Sequence, residues 1–124
     1  MQLTEHRNDN QLFIRRADAE SVAVIDRTYR SSLALSPSRL VENLTARRPD
    51  EIDPATIARI LELQPDVVLL GTGARAVFPP AQTLAEFLRR GIGVETMDNA
   101  AAARTFNVLA SEGRSAVVVF LLPG

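Results

Sequence analysis

Apolar residues along the chain fall into two patterns, continuous runs and helically spaced stripes. The continuous runs lie at residues 67–70 and 117–122. An apolar run without polar alternation is typical of a strand that is buried on both faces. Elsewhere, apolar residues recur every three or four positions, as they do on one face of a helix. The chain therefore alternates buried strands with amphipathic helices, which predicts an α/β sheet covered by helices.

Three helices are predicted from these stripes and from the residues at their ends. The first begins with Asp53 as N-cap and Pro54 at the first helical position. The second covers residues 81–90 and the third covers residues 100–112, and a glycine that favours a helix C-terminus follows each one. Asp98 is the predicted N-cap of the third helix.

The first third of the chain is predicted to be β-rich and antiparallel. Residues 11–16, 21–29 and 33–35 are predicted strands, and their connections are too short for parallel crossovers. Residues 38–44 leave a short strand and a turn of helix open as alternatives. The later alternation of helix and strand predicts right-handed crossovers in a mainly parallel central sheet, with the opening hairpin beside it or in a second small sheet.

Composition and charge exclude several function classes. The chain has 124 residues and a net charge of -1, so we expect one compact core and no basic field for nucleic acid. It has no cysteine, which removes zinc–thiolate sites and a cysteine nucleophile. Its single histidine, His6, lies in a polar N-terminal stretch, so a Ser-His-Asp triad would have to recruit that stretch. We predict no catalytic residue set, no metal and no cofactor.

The N-terminal sequence indicates a location as well. Residues 1–10 lack the apolar region of a signal peptide and are expected to form a flexible lead-in. No apolar run approaches the length of a membrane span, so the expectation is a soluble, cytoplasmic protein without membrane insertion.

The basic pairs are scattered and are predicted to be solvated surface: Arg15-Arg16, Arg47-Arg48 and Arg89-Arg90.

The turn that follows residues 67–70 is the candidate binding site. Gly71, Thr72 and Gly73 come directly after this predicted strand. Ligands of open α/β sheets bind beyond the carboxyl ends of strands, and a Gly-x-Gly turn can offer backbone N–H groups to an anion. The third glycine of a dinucleotide motif and the Gly-Lys-Ser/Thr of a P-loop are both missing. A simple tight turn, with or without a ligand pocket above it, is therefore the competing interpretation.

Three side chains extend this candidate site. Arg75 follows the glycine turn, and Arg104 lies on the polar side of the third helix. If both guanidinium groups face one crevice, they could clamp a carboxylate or a phosphate. The alternative is that they form structural salt bridges with nearby carboxylates: Glu95, Asp98 and Glu112. The amide of Asn107 is expected to hydrogen bond the backbone of the Gly-Thr-Gly turn.

Several segments of the chain resemble one known protein family. They are residues 69–73, 97–98, 101–109 and 112–114. On these residues the chain resembles the Mth938-like domain family, which includes the mitochondrial respiratory complex I assembly factor three. The resemblance implies a single three-layer α/β domain over residues 11–124, with a mixed central sheet, flanking helices and an N-terminal antiparallel β-hairpin.

The resemblance also implies how the protein acts. No enzymatic activity is established for the family, and its eukaryotic member acts through protein contacts. The family often has a cysteine where Ala103 stands, so thiol chemistry cannot apply to this chain. The leading hypothesis is a non-catalytic binding or assembly module with a protein partner or a second copy of itself. The alternative is a binder of a small anionic ligand, or an enzyme acting on one, with its site over Gly71–Gly73.

Overall fold

A computed structural model describes residues 11–124, and this part of the chain contains eight strands and three α-helices. The strands are β1 (Ile14–Ala17), β2 (Val22–Val24), β3 (Arg27–Tyr29), β4 (Ser31–Leu35), β5 (Leu40–Glu42), β6 (Val67–Gly71), β7 (Gly93–Met97) and β8 (Ala116–Pro123). The helices are α1 (Pro54–Leu61), α2 (Ala81–Leu88) and α3 (Asn99–Ser111), and a 3-10 turn spans Pro49–Glu51. The predicted lead-in and His6 lie outside the described residues.

Five strands form the central sheet in the order β5-β4-β8-β6-β7. Strand β6 pairs in parallel with β7 and β8, whereas β4 is antiparallel to both β8 and β5. The sheet is therefore mixed, as the family resemblance implied. Residues 38–44, for which two alternatives were open, contain the edge strand β5.

Strand β6 lies inside this sheet and is covered on both faces. Val68, Leu69 and Leu70 are each no more than 2% exposed. The side chain of Leu69 belongs to one apolar core, whereas those of Val68 and Leu70 belong to the core on the opposite face. The prediction of an interior strand is confirmed, and the lack of polar alternation follows because neither face meets water.

The two cores are covered by different elements. On the Leu69 face, Ala102 and Phe106 of α3 pack with Val22 of the small sheet. On the opposite face, Ile60 of α1 and Phe87 of α2 pack against the sheet. This arrangement confirms the three-layer α/β architecture with helices on both sides.

The N-terminal part forms a second, three-stranded antiparallel sheet in the order β1-β2-β3. The predicted antiparallel hairpin is confirmed, but the prediction of one strand over residues 21–29 is wrong. The chain reverses at Ile25 and Asp26, and Ile25 has a φ of 53°. A β-branched residue rarely adopts a positive φ. No glycine or asparagine marks this turn, so the sequence pattern does not predict it.

The helix ends follow their capping residues closely. Asp53 accepts a hydrogen bond from the backbone N–H of Thr56 at 2.8 Å, and Asp98 accepts one from Ala101 at 2.7 Å. Helix α2 ends two residues earlier than predicted, and Gly91 then adopts a φ of 76°.

Within residues 11–124, no helix combines the length and the apolar character needed to cross a membrane.

Candidate functional site

The Gly71-Thr72-Gly73 turn lies at the carboxyl end of β6, and Asn99 fills the space behind it. Gly73 donates its N–H to Oδ1 of Asn99 at 3.0 Å, and the N–H of Asn99 donates to the carbonyl of Gly73 at 2.9 Å. The side chain of Asn99 is fully buried. A Cβ on Gly71 would overlap Oδ1 of Asn99, so only glycine allows this close approach. The N–H of Gly73 is thus bound within the protein and is not offered to an anion.

Thr72 holds the loop that follows the turn. Its hydroxyl donates to the carbonyl of Arg75 at 2.6 Å and accepts from the N–H of Val77 at 2.9 Å. Its own N–H donates to the carbonyl of Met97 at 3.0 Å, at the end of β7. These bonds connect residues 72–77 to one another and to the carboxyl end of β7.

The two arginines predicted to form a clamp are both exposed. Neither Arg75 nor Arg104 takes part in the ion pairs that occur among residues 11–124. The expected structural salt bridges with Glu95, Asp98 and Glu112 are therefore wrong for the described part of the chain. The clamp itself stays a prediction.

Asn107 contacts a different element from the one predicted. Its Oδ1 accepts from the N–H of Ile14 at 3.0 Å, and its amide donates to the carbonyl of Ile14 at 2.8 Å. The expected bond to the Gly-Thr-Gly backbone is made by Asn99 instead. Asn107 thus extends the edge of β1, and its amide is structurally satisfied by a partner that no sequence pattern indicates.

A cleft of about 390 Å³ opens beside the glycine turn. Thr72 and Gly73 contribute to its lining, and Leu121 and Pro123 of β8 form part of its wall. The remaining lining residues come from two connecting segments: Ala19, Arg47, Arg48 and Glu51. The sequence predicted Arg47 and Arg48 to be solvated surface, and their approach to the glycine turn arises only in the folded chain.

The two arginines of this cleft differ in their partners. Arg48 lies 3.3 Å from Asp50 and 3.7 Å from Glu51, and its hydrogen bond with Asp50 raises the pKa of its guanidinium. The guanidinium of Arg47 forms no ion pair with any residue in the described range 11–124. The contact between Arg47 and Glu51 is a hydrogen bond from the backbone N–H of Arg47 to the carboxylate, at 2.8 Å. Arg47 is therefore an exposed lining residue of the cleft whose charge is not paired within residues 11–124.

Several carboxyl groups have lowered pKa values, and each has a structural cause. The pKa of Asp18 is lowered chiefly by the backbone N–H of Glu20. The pKa of Asp53 is lowered by the backbone N–H of Thr56, and that of Glu86 by hydrogen bonds from two neighbouring arginines. A general acid near neutral pH needs a raised pKa, so these three carboxyl groups are not candidates for a general acid. Within residues 11–124, no cluster of three or more acidic or histidine side chains could hold a metal ion.

A known protein family matches most of the chain. The model described as "Protein of unknown function (DUF498/DUF598)" matches residues 14–121. The chain belongs to this family. In zebrafish, Danio rerio, a relative named NADH dehydrogenase [ubiquinone] 1 alpha subcomplex assembly factor 3 is 37% identical over 89 residues. The match covers 72% of this chain and 51% of the zebrafish protein, so the chain spans about half the length of that relative.

Solved structures of bacterial relatives share the fold. The NMR structure of a protein from Xanthomonas campestris has a TM-score of 0.83 at 42% identity, and the match covers 98% of this chain and 92% of that one. The solution NMR structure of a Mth938-like domain from Bordetella pertussis has a TM-score of 0.79 at 26% identity. That match covers 100% of this chain and 94% of the other. The family resemblance seen in the sequence is confirmed.

Proposed function

We propose that this protein is a non-catalytic binding or assembly module that acts through protein contacts. One observation carries the proposal: Phe78 is 75% exposed and Val77 is 43% exposed on the loop that Thr72 holds. The assembly-factor name of the zebrafish relative supports the same class of function.

The residue types on this loop are those that dominate protein interfaces. Aromatic side chains and arginines are enriched among residues that carry binding energy, and Phe78 and Arg75 lie on the same exposed segment. The hydrogen bonds of Thr72 and the following Pro79 and Pro80 restrict the loop before binding, which reduces the entropy lost on association. The partner is another protein of an assembly or a second copy of this chain.

The test compares two exposed phenylalanines. The full chain and the variants Phe78→Ser and Phe13→Ser are immobilised and exposed to native extract at physiological salt, and light scattering measures self-association. Phe13 is 51% exposed and serves as the matched control. We expect one reproducible partner, or a defined dimer, for the wild type and Phe13→Ser and its loss in Phe78→Ser. A monodisperse monomer that recovers nothing reproducible counts against the proposal.

A second candidate function is the binding of a small anionic ligand, or catalysis on one, over Gly71–Gly73. The cleft of about 390 Å³ beside Thr72 and Gly73 favours it. In a thermal-shift screen with anionic metabolites, a ligand at ~100 times its dissociation constant should add about 2.7 kcal/mol to the free energy of unfolding. A shift that is unchanged in both Arg75→Ala and Arg104→Ala removes the support for the predicted clamp.

A further inference from the structure

The cleft beside the glycine turn lies at the point where the chain changes direction across the sheet. From β6 the chain passes through α2 to β7 on one side, and from β7 it returns through α3 to β8 on the other side of β6. Helices α2 and α3 cover opposite faces of the sheet. In open α/β sheets, ligands bind outside the carboxyl ends of the two strands that flank such a switch point.

Both flanking strands contribute to this cleft at their carboxyl ends. Gly73 follows β6, and Pro123 is the last residue of β8. On the α3 side of the sheet, Asn99 closes the space behind the glycine turn. The accessible space at the switch point is therefore the cleft itself, whose volume of about 390 Å³ falls in the range of small-molecule sites.

The chemistry of the lining determines the class of ligand. Pro123 is an exposed apolar residue of the lining, and Arg47 is an exposed lining residue whose guanidinium has no carboxylate partner among residues 11–124. A guanidinium binds carboxylate and phosphate groups through paired hydrogen bonds. The guanidinium of Arg48 is already held by Asp50 and Glu51, so it adds less to the recognition of an anion.

We propose that this cleft binds a small organic anion, with Arg47 holding its carboxylate or phosphate group and Pro123 contacting its apolar body. The site keeps the glycine turn of the second candidate function and rests on that function. It differs in the cation, since Arg47 takes the place of Arg75 and Arg104. It does not depend on the protein-binding function, because that function is tested at Phe78.

The experiment follows backbone amide signals of the ¹⁵N-labelled full chain by NMR. The probes are inorganic phosphate and succinate, which separate phosphate from carboxylate ligands, and sodium chloride at matched ionic strength is the control. We expect the signals of Ala19, Thr72 and Gly73 to move and saturate with phosphate, succinate or both, but not with chloride. In Arg47→Gln the apparent dissociation constant should rise about tenfold, the loss of one charge-assisted hydrogen bond.

The matched control is Arg114→Gln, since Arg114 is also an exposed arginine, lies outside the lining of this cleft and forms no ion pair among residues 11–124. Its dissociation constants should equal those of the wild type. Signals that do not saturate with either probe, or a dissociation constant unchanged in Arg47→Gln, overturn the proposal. Binding that is lost in Arg104→Gln and retained in Arg47→Gln also overturns it. That result would support the predicted clamp of Arg75 and Arg104 instead.

Discussion

Asn99 and Asn107 lie on the same helix, about two turns apart, and attach it to different parts of the molecule. Asn99 is fully buried and hydrogen bonds the backbone of Gly73 at 3.0 Å, Asp18 at 3.0 Å and Leu121 at 3.4 Å. Asn107 is half-buried, and its side chain bonds the backbone of Ile14 alone among residues 11–124. One amide joins three distant segments, whereas the other joins a single strand.

The difference between these two residues lies in what replaces the amide when it is removed. Asn107 lines a cleft of about 370 Å³, so water can reach the N–H and carbonyl of Ile14 in its absence. The space around Asn99 is closed by Gly71 and the core beneath it, so its backbone partners would lose their hydrogen bonds without gaining water. The same side chain thus has a large effect at one position and a small effect at the other.

The largest effect is expected from replacing each asparagine by leucine. Asn99→Leu should lower the free energy of unfolding by about 3 kcal/mol, because buried backbone groups lose their partners. Asn107→Leu should lower it by about 1 kcal/mol, because water substitutes for the amide. Urea unfolding of both variants, analysed with a common m-value, measures the two losses. Equal losses in the free energy of unfolding would show that the different burial of Asn99 and Asn107 does not change the effect of the substitution.

A smaller effect is expected from adding a methyl group on the other side of the Asn99 contact. In Gly71→Ala the new Cβ would overlap Oδ1 of Asn99 and lie 3.3 Å from Phe120, which should cost about 2 kcal/mol. In an Asn99→Gly background the added cost should fall by about 1 kcal/mol, the coupling measured by a double-mutant cycle. Gly93→Ala is the matched control, because its Cβ meets no atom within 4 Å. Additive losses would contradict the contact.

The smallest expected effect is a pH dependence of the stability that Asp18 contributes at the Asn99 contact, with no such dependence at the Asn107 contact. The carboxylate of Asp18 accepts from the N–H groups of Glu20 and Ser21, each at 2.9 Å, and shapes the turn whose carbonyl bonds Asn99. These bonds lower the pKa of Asp18, so its stabilisation is present above the unfolded pKa and is lost as pH falls through the folded pKa.

Asp18→Asn should therefore unfold at a lower urea concentration than the wild type at neutral pH, and the difference should vanish in acid. The difference between the wild type and Asn107→Leu should persist over the same range, because no titrating group takes part in the Asn107 contact. Urea midpoints measured at a series of pH values test both statements. If the difference in urea midpoint between Asp18→Asn and the wild type stays constant with pH, the Asp18 carboxylate is not the source of the pH dependence.

Much of the fold was predictable because its signals are local. Strand β6 was predicted from an uninterrupted apolar run, and helix α3 was predicted from its stripe and from Asp98 at its start. The hairpin at Ile25 was not predictable, since a β-branched residue in a strand-like run gives no turn signal. Its positive φ accompanies the tight reversal by which Val24 pairs with Arg27.

The glycine turn was predictable, but the side chains around it were not, and the candidate site itself stays a prediction. The glycine turn was located from the strand that precedes it, and a cleft does lie beside that turn. The two arginines chosen from the sequence, Arg75 and Arg104, were chosen for their nearness to the predicted turn and helix. Arg47 was passed over because the segment that carries it precedes α1, far from the turn in the sequence.

By itself the sequence determined the alternation of helices and strands from α1 to β8, the burial of β6 on both faces and the family. Those features depend on spacing and capping among residues close together in the chain. Only the tertiary structure decided that Asn99, and not Asn107, closes the glycine turn, and that Arg47 lines the cleft. The bonds of Asn99 join residues separated by 26 and 81 positions, and no local pattern of polar and apolar residues encodes contacts of that range.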